Sequence, residues 1–213
     1  MREDLAGFRA RARAENVGPR YSGLLHFGFV NALALSVIVA AAWQLHRPRW
    51  ALLTVPVTFL YANLVEYFAH KGPMHQPARL LRLVYQRHTL LHHAFFSAEE
   101  MELESRSDFK MVLFPPVLLI FFFGLFALPI SLLLKPILGA NVAALFAITA
   151  MTYYLLYEWL HLAYHSGHRA PRFIAPLRRH HAAHHDPQAM TSGNFNITFP
   201  ICDKLFGTCL PSP

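Results

Sequence analysis

From Met111 to Leu134 the chain runs without a single charged residue, and Leu24 to Leu45, Ala51 to Ala69 and Ile137 to Leu160 are nearly as apolar. A helix needs about 20 apolar residues to cross a bilayer, so each stretch has the length of a membrane span. Pro56 falls inside the second stretch, and Pro115, Pro116 and Pro129 inside the third. Membrane helices tolerate such prolines better than soluble ones do. Hydrophobic residues make up 54% of the chain and charged residues 15%, a balance that points away from a soluble domain. The expected fold is all-α and integral to the membrane, with four transmembrane helices.

The separators His46-Arg47-Pro48-Arg49 and Lys135-Pro136 are very short, so the spans should pair as two hairpins. Of the Lys and Arg residues only Arg47, Arg49 and Lys135 lie at the hairpin turns; the rest lie in the N-terminal segment, the 70–110 segment or the C-terminal tail. Cytoplasmic loops carry the excess of basic residues. Both termini are therefore expected in the cytoplasm, with a histidine-rich helical cap on that side. A first hairpin that re-enters the interface without crossing fits the same pattern. A single domain over 1–213 is expected, divided into a cytoplasmic segment 1–23, membrane hairpins with intervening histidines 24–160, and a histidine-rich tail 161–213.

The segment Met1 to Arg20 is polar and Arg-rich, so no signal peptide is expected there. The net charge of +7 comes from residues flanking apolar spans, not from a basic stripe with interleaved aromatics. Anionic lipid is the expected partner of that charge, and nucleic acid is not. Cys202 and Cys209 have no second pair to complete a zinc site, and reduced structural thiols are expected.

Twelve of the 14 histidines fall into four clusters beside the apolar stretches: His70-x4-His75, His88-x3-His92-His93, His161-x3-His165-x2-His168 and His180-His181-x2-His184-His185. Imidazole is the commonest nitrogen ligand of iron, zinc and copper. One structural ion uses about four protein ligands, so this supply exceeds one ion and points to two. Residues four apart share a helix face, which lets His88 with His92, and His161 with His165, aim two rings at one site. Adjacent residues diverge by about 100° on a helix, so His92-His93 and His184-His185 can serve two neighbouring ions. His26 and His46 stand apart from every cluster and are expected at the membrane interface.

The order of these boxes, with the closing run Asn194-Phe195-Asn196-Ile197-Thr198-Phe199-Pro200-Ile201-Cys202-Asp203-Lys204-Leu205-Phe206-Gly207-Thr208, resembles the fatty acid hydroxylase / sterol desaturase superfamily of integral-membrane enzymes. The resemblance spans roughly Leu64 to Thr208. It implies a dinuclear iron centre that uses dioxygen on unactivated C–H bonds of lipids. Carried onto this chain, the implied ligands are His70, His75, His88, His92, His93, His161, His165, His181, His184 and His185. Two departures from the pattern stand out. The second box is usually His-x2-His-His, whereas three residues separate His88 from its pair. The last box has an extra leading histidine, and His181 keeps the usual spacing while His180 is the alternative. His168 is a further candidate ligand, or a group that supports one.

Metal-bound histidines usually donate their other ring proton to a carboxylate or carbonyl. Glu66, one helical turn before His70, and Glu158, three residues before His161, are candidates for that task. A glutamate at a water-facing helix end is the plainer alternative for each. Glu158-x2-His161 matches one Glu-x-x-His element of soluble di-iron bundles, which need two plus further glutamates. Asn194 and Asp203 match polar positions of the family pattern and are expected to bond a ligand histidine or to fold the tail.

The expected activity is hydroxylation, or desaturation, of a lipid such as a fatty acyl chain or sterol, with no catalytic residue separate from the metal centre. The expected cofactor is two iron ions, with zinc as a substitute in isolated protein. No Gly-rich dinucleotide fingerprint occurs, so a separate donor is expected: a ferredoxin, a b-type cytochrome or a reductase. Three other readings stay open. Glu66-x2-Ala69-His70-x3-Met74-His75 is similar to carotenoid-ring hydroxylases, although the tail fits them poorly. A membrane zinc hydrolase would need the glutamate that His161-x3-His165 lacks. A non-catalytic metal-binding protein, a metal transporter or sensor, would need polar residues in mid-membrane to pass the ion, and Leu113 to Tyr153 offers almost none.

Overall fold

The computed structural model describes residues 4–47, 49–167 and 171–211. Among these, the regular structure is entirely helical, with no β-strand. In chain order come α1 (Leu5–Asn16), α2 (Gly23–Ala42), α3 (Thr54–Ala69), α4 (Arg82–Tyr85), α5 (His93–Phe95) and α6 (Phe109–Val112). They are followed by α7 (Pro116–Phe122), α8 (Leu128–Leu138), α9 (Ala140–His165), α10 (Ala175–His184) and α11 (Ile201–Phe206). Three π-helical turns interrupt this order. His70–Met74 prolongs α3, Gln86–His92 joins α4 to α5, and Phe123–Ala127 joins α7 to α8.

Four runs are long and apolar enough to cross a membrane: Gly23–Ala42, Arg49–Met74, Arg106–Leu138 and Ala140–His165. Their ends differ from the sequence expectation in two instructive places. The last run continues five residues past Leu160, so His161 and His165 form its final turns. Lys135-Pro136, expected as a separator, lies inside α8, and the chain breaks instead at Gly139 with φ 94°. That left-handed backbone is cheap only for glycine. Within the third run, residues 113–115 leave the helix just before Pro115 and Pro116, because a residue ahead of proline is pushed out of the α region.

The chain forms two compact units. One comprises Leu24–Ala62 and Phe114–Glu158. Its core is built from Val30, Leu119, Ala127 and Met151, with the small residues Ala41, Ala144 and Ala147 at a second contact. Small side chains let membrane helices approach closely. Leu132, Leu133, Val117 and Ile137 face outward, as expected of helices that are apolar all round. His26 is buried in this unit with its Nε2 3.0 Å from the Phe114 carbonyl, a bonded histidine of the span, whereas His46 is exposed.

The other unit comprises Met1–Gly23, Asn63–Leu113 and Trp159–Pro213. Phe95, Phe96, Met101, Met111 and Val112 pack with Ala12 of α1 in one cluster, and Tyr67, Phe195 and Cys202 form another. The N-terminus of α1 is capped by the Asp4 carboxylate, which accepts from Gly7 N at 2.7 Å. Both clusters hold segments that end on histidines.

Candidate metal centre

The ten implied ligands all lie in this second unit, and all are buried. They form two groups. The ligand atoms of His70, His75, His88, His93 and His184 lie within 4.8 Å of one another, as do those of His92, His161, His165 and His181. His185 adjoins the second group, its Nε2 3.2 Å from that of His92 and 3.1 Å from that of His181. The arrangement is five nitrogens and five, with no carboxylate in either group among the described residues.

Helix type sorts the rings. On α9 and α10, spacings of four bring His161 beside His165 and His181 beside His185. The π turns change the count, since their hydrogen bonds reach five residues along. His70 with His75, and His88 with His93, are therefore the pairs that share a group. This corrects the expectation that His88 works with His92. Their rings lie nearly parallel at 5.3 Å, yet His92 belongs to the other group. The adjacent pairs divide: His92 and His93 go to different groups, and so do His184 and His185.

Partners of the ring Nδ1 atoms define the tautomers. His70 Nδ1 donates to Phe195 O, His184 to Gly193 O at 2.8 Å, His185 to Phe96 O at 2.8 Å, His165 to Met101 O at 2.8 Å and His92 to Met111 O at 2.9 Å. Thr89 Oγ1 donates to Met74 O at 2.6 Å, so it accepts from His75 Nδ1 at 3.1 Å. Each of these rings carries its proton on Nδ1 and presents a bare lone pair at Nε2. In the first group His75 Nε2 faces His184 Nε2 at 2.9 Å, and beside the second His92 Nε2 faces His185 Nε2 at 3.2 Å. No proton is left to bridge either contact.

Protonation does not relieve this repulsion. Burial, aided by the neighbouring His184, takes His75 down to about 3, and burial takes His184 down to about 4. Burial, followed by the charges of neighbouring rings, likewise holds His88, His92, His93, His181 and His185 well below the ordinary histidine value. A cation between the nitrogens would relieve it. Two nitrogens bound at about 2.1 Å and at right angles stand about 3 Å apart, which matches these separations. The donor set fits two metal ions, and neutral imidazole suits iron, zinc, copper and nickel alike.

Residues 55–208 match the sequence profile of the fatty acid hydroxylase family. The chain belongs to that family. It is 29% identical over 156 residues to the fatty acid 2-hydroxylase of Macaca fascicularis, a match that takes in 70% of this chain and 37% of that relative. The chain thus spans well under half the length of the curated relative. In fold it is similar to the solved structure of full-length Scs7p, in which only the hydroxylase domain is visible. The TM-score is 0.63 at 20% identity, covering 89% of this chain and 67% of that one. Four apolar runs in a member of this family make it a multi-pass membrane protein.

In this hydroxylase-family chain the tail is a scaffold for the first group. Asp203, fully buried, accepts from Phe195 N at 2.9 Å, Asn196 N at 2.7 Å, Thr208 Oγ1 at 2.7 Å and His180 Nε2 at 3.2 Å. Asn194, at φ 56°, donates to His180 O and accepts from Leu210 N. These bonds set the Phe195 and Gly193 carbonyls that meet His70 and His184. His180 accordingly faces Asp203, and its ring is in neither group. His168 lies outside the described residues.

Glu66 accepts from the tail at Ile197 N (2.6 Å), Thr198 N (3.0 Å), Thr198 Oγ1 (2.7 Å) and Asn196 Nδ2 (3.4 Å). Through these bonds it holds the strip of chain whose carbonyl orients a ligand ring. In its own unit, Glu158 Oε1 accepts from Tyr154 Oη at 2.6 Å and Phe114 N at 3.2 Å, and Oε2 is buried with no hydrogen-bond partner among the described residues. Sequence reasoning missed Thr89, which serves His75, and Asn63, which donates to Phe199 O at 2.8 Å and pins the same tail. Thr89 sits next to His88 in the box, but a threonine there carries no distinctive mark.

Proposed function

We propose that the chain is a membrane-bound lipid hydroxylase holding two iron ions. His70, His75, His88, His93 and His184 surround one ion, and His92, His161, His165, His181 and His185 the other. The observation that carries this reading is the pair of facing Nε2 lone pairs at each group, 2.9 and 3.2 Å apart in a buried setting. The family and the relative named fatty acid 2-hydroxylase favour hydroxylation of a fatty acyl chain over desaturation. Bound iron supplies the activation of dioxygen and the oxidising power that an unactivated C–H bond demands.

The protein's own contribution is positional. Backbone carbonyls and Thr89 keep the protons of His70, His75, His92, His165, His184 and His185 on Nδ1, so their Nε2 atoms stay free to bind. None of the ten ligand residues is more than 7% exposed. The Phe96 ring lies 4.1 Å from that of His165, and the Phe195 ring 5.9 Å from that of His184, so each group has an apolar neighbour on one side. Ten neutral ligands leave the ions' charge unneutralised. Glu66, Asn194 and Asp203 act through the tail carbonyls.

The positive-inside bias supports two hairpins with both termini and the histidines on the cytoplasmic side. That face is basic, and it suits an acidic donor such as a ferredoxin, a b-type cytochrome or a reductase delivering two electrons per product. The test is to compare lipid extracts by mass spectrometry from cells with the chain, without it, and with His165→Ala. A lipid that gains one oxygen only with the intact chain is the expected result. Turnover by zinc-loaded protein without oxygen would overturn the reading in favour of a hydrolase.

A further inference from the structure

α1 precedes the stretch 55–208 that matches the family, yet its arginines end on the segment that orients one histidine group. Arg9 is 4% exposed. Its Nε donates to Phe95 O at 2.8 Å, Nη2 to Glu100 O at 2.7 Å and Nη1 to Glu104 Oε1 at 2.8 Å. Its guanidinium lies 5.2 Å and 5.7 Å from the ring centres of Phe95 and Phe96. Arg13 grips Asp108 with two bonds, 2.7 and 3.0 Å, and reaches Glu104 at 2.8 Å. Asp108, fully buried, also accepts from Glu104 N at 2.9 Å and Ser105 N at 3.0 Å.

Three carbonyls of this same segment meet three rings of the second group: Phe96 O with His185, Met101 O with His165 and Met111 O with His92. Phe96 and Met101 are each the residue after one whose carbonyl Arg9 holds, and Met111 follows Asp108 by one short helical turn. Residues 96–105 have no helix or strand of their own. The backbone bond Leu103 N to His165 O at 2.8 Å adds one tie. Arg178 of α10 reaches Glu102 at 3.3 Å and Arg87 donates to Lys110 O, and the α1 arginines add several charge-assisted bonds, which are shorter and stronger than neutral ones.

We propose that Arg9 and Arg13 are positioning residues for the His92, His161, His165, His181 and His185 group, so that α1 sets how tightly the second metal is held. The proposal rests on the dinuclear reading above. Its selectivity follows from the first group taking its carbonyls from Gly193 and Phe195, which no α1 side chain touches among the described contacts. Arg9 and Arg13 act only through the backbone they hold.

The experiment uses the full chain in detergent, loaded with iron, with metal content after chelator challenge and the Mössbauer spectrum as readouts. Arg9→Met and Arg13→Met should each release one ion about 10–100-fold more readily, leaving the other ion and its spectrum unchanged. Arg9→Lys, which keeps the charge but not the three-way fork, should restore part of the retention. Arg11→Ala, on the same helix, should match the unaltered chain. If Arg9→Met does not accumulate folded, Arg13→Gln gives the same readout, since it removes the charge, the paired bonds to Asp108 and the Glu104 contact while leaving a polar side chain. An unaltered chain that binds fewer than two ions overturns the dinuclear reading and the clamp together. An unaltered chain with two ions, and variants that keep both or lose both equally while folded, overturns the clamp alone.

Discussion

The two histidine groups use the same ligand and reach it by different backbone geometry. The first draws four of its five rings from two π turns and the residue that follows each, so that His70 pairs with His75 and His88 with His93. The second draws four of its five from the ends of α9 and α10, as i,i+4 pairs. Orientation differs too. The C-terminal tail supplies carbonyls to His70 and His184, while the 96–111 segment supplies them to His185, His165 and His92. Five rings can thus be gathered at one point by either helix type, with a separate, well-anchored strip of backbone fixing the protons of two rings in the first group and three in the second. The anchor of one strip is carboxylate-centred, at Glu66 and Asp203. The anchor of the other is arginine-centred, at α1.

Ligand removal should break the comparison most severely. His184→Ala and His165→Ala each take one nitrogen from a different group, and each should abolish product formation in the lipid assay. Metal analysis then asks whether the groups are separable: each variant should lose one ion and keep the other. Simultaneous loss of both ions from either folded variant would show a single cooperative cluster in place of two sites.

The tail anchor comes next in size. Asp203→Asn turns an amide N–H toward bonds that now accept from Phe195 N and Asn196 N, and Glu66→Gln does the same at Ile197 and Thr198. Leaving a buried donor unsatisfied costs about 1–3 kcal/mol. Metal affinity should fall about 10–100-fold in the first group alone. A loss that falls instead on the ion held by His161 and His165 would refute the assignment of the tail to the first group.

A smaller effect belongs to Thr89→Val, which removes the hydroxyl between His75 Nδ1 and Met74 O. One side-chain bond is worth about 1 kcal/mol, so the ion beside His75 should dissociate several-fold faster, with product identity unchanged. Stopped-flow chelation measures it, and an unchanged rate would remove Thr89 from the site.

His180→Ala should be milder still, since that ring meets Asp203 and neither group. Two ions should remain, and turnover should stay within a few-fold of the unaltered chain. Loss of an ion would restore His180 to the ligand set.

The amino-acid order by itself determined the apolar runs, the all-helical class, the supply of histidines in excess of one ion, and the family. Those are matters of composition and short spacing, and bilayer thickness and imidazole chemistry read them directly. Even the division of His92 from His93, and of His184 from His185, follows from the rotation between neighbouring helical residues. The pairing of His88 with His93 did not, because α and π turns differ in hydrogen-bond register and no residue in Gln86–His92 announces the change. Nor did the turn at Gly139, where the chain passes over a Lys-Pro pair to break at a glycine. Tertiary structure alone decided which backbone oxygens hold the rings. His70 meets a carbonyl 125 residues away and His185 one 89 residues away. Every residue carries a carbonyl, so no side chain in the sequence marks the one that a distant imidazole will find.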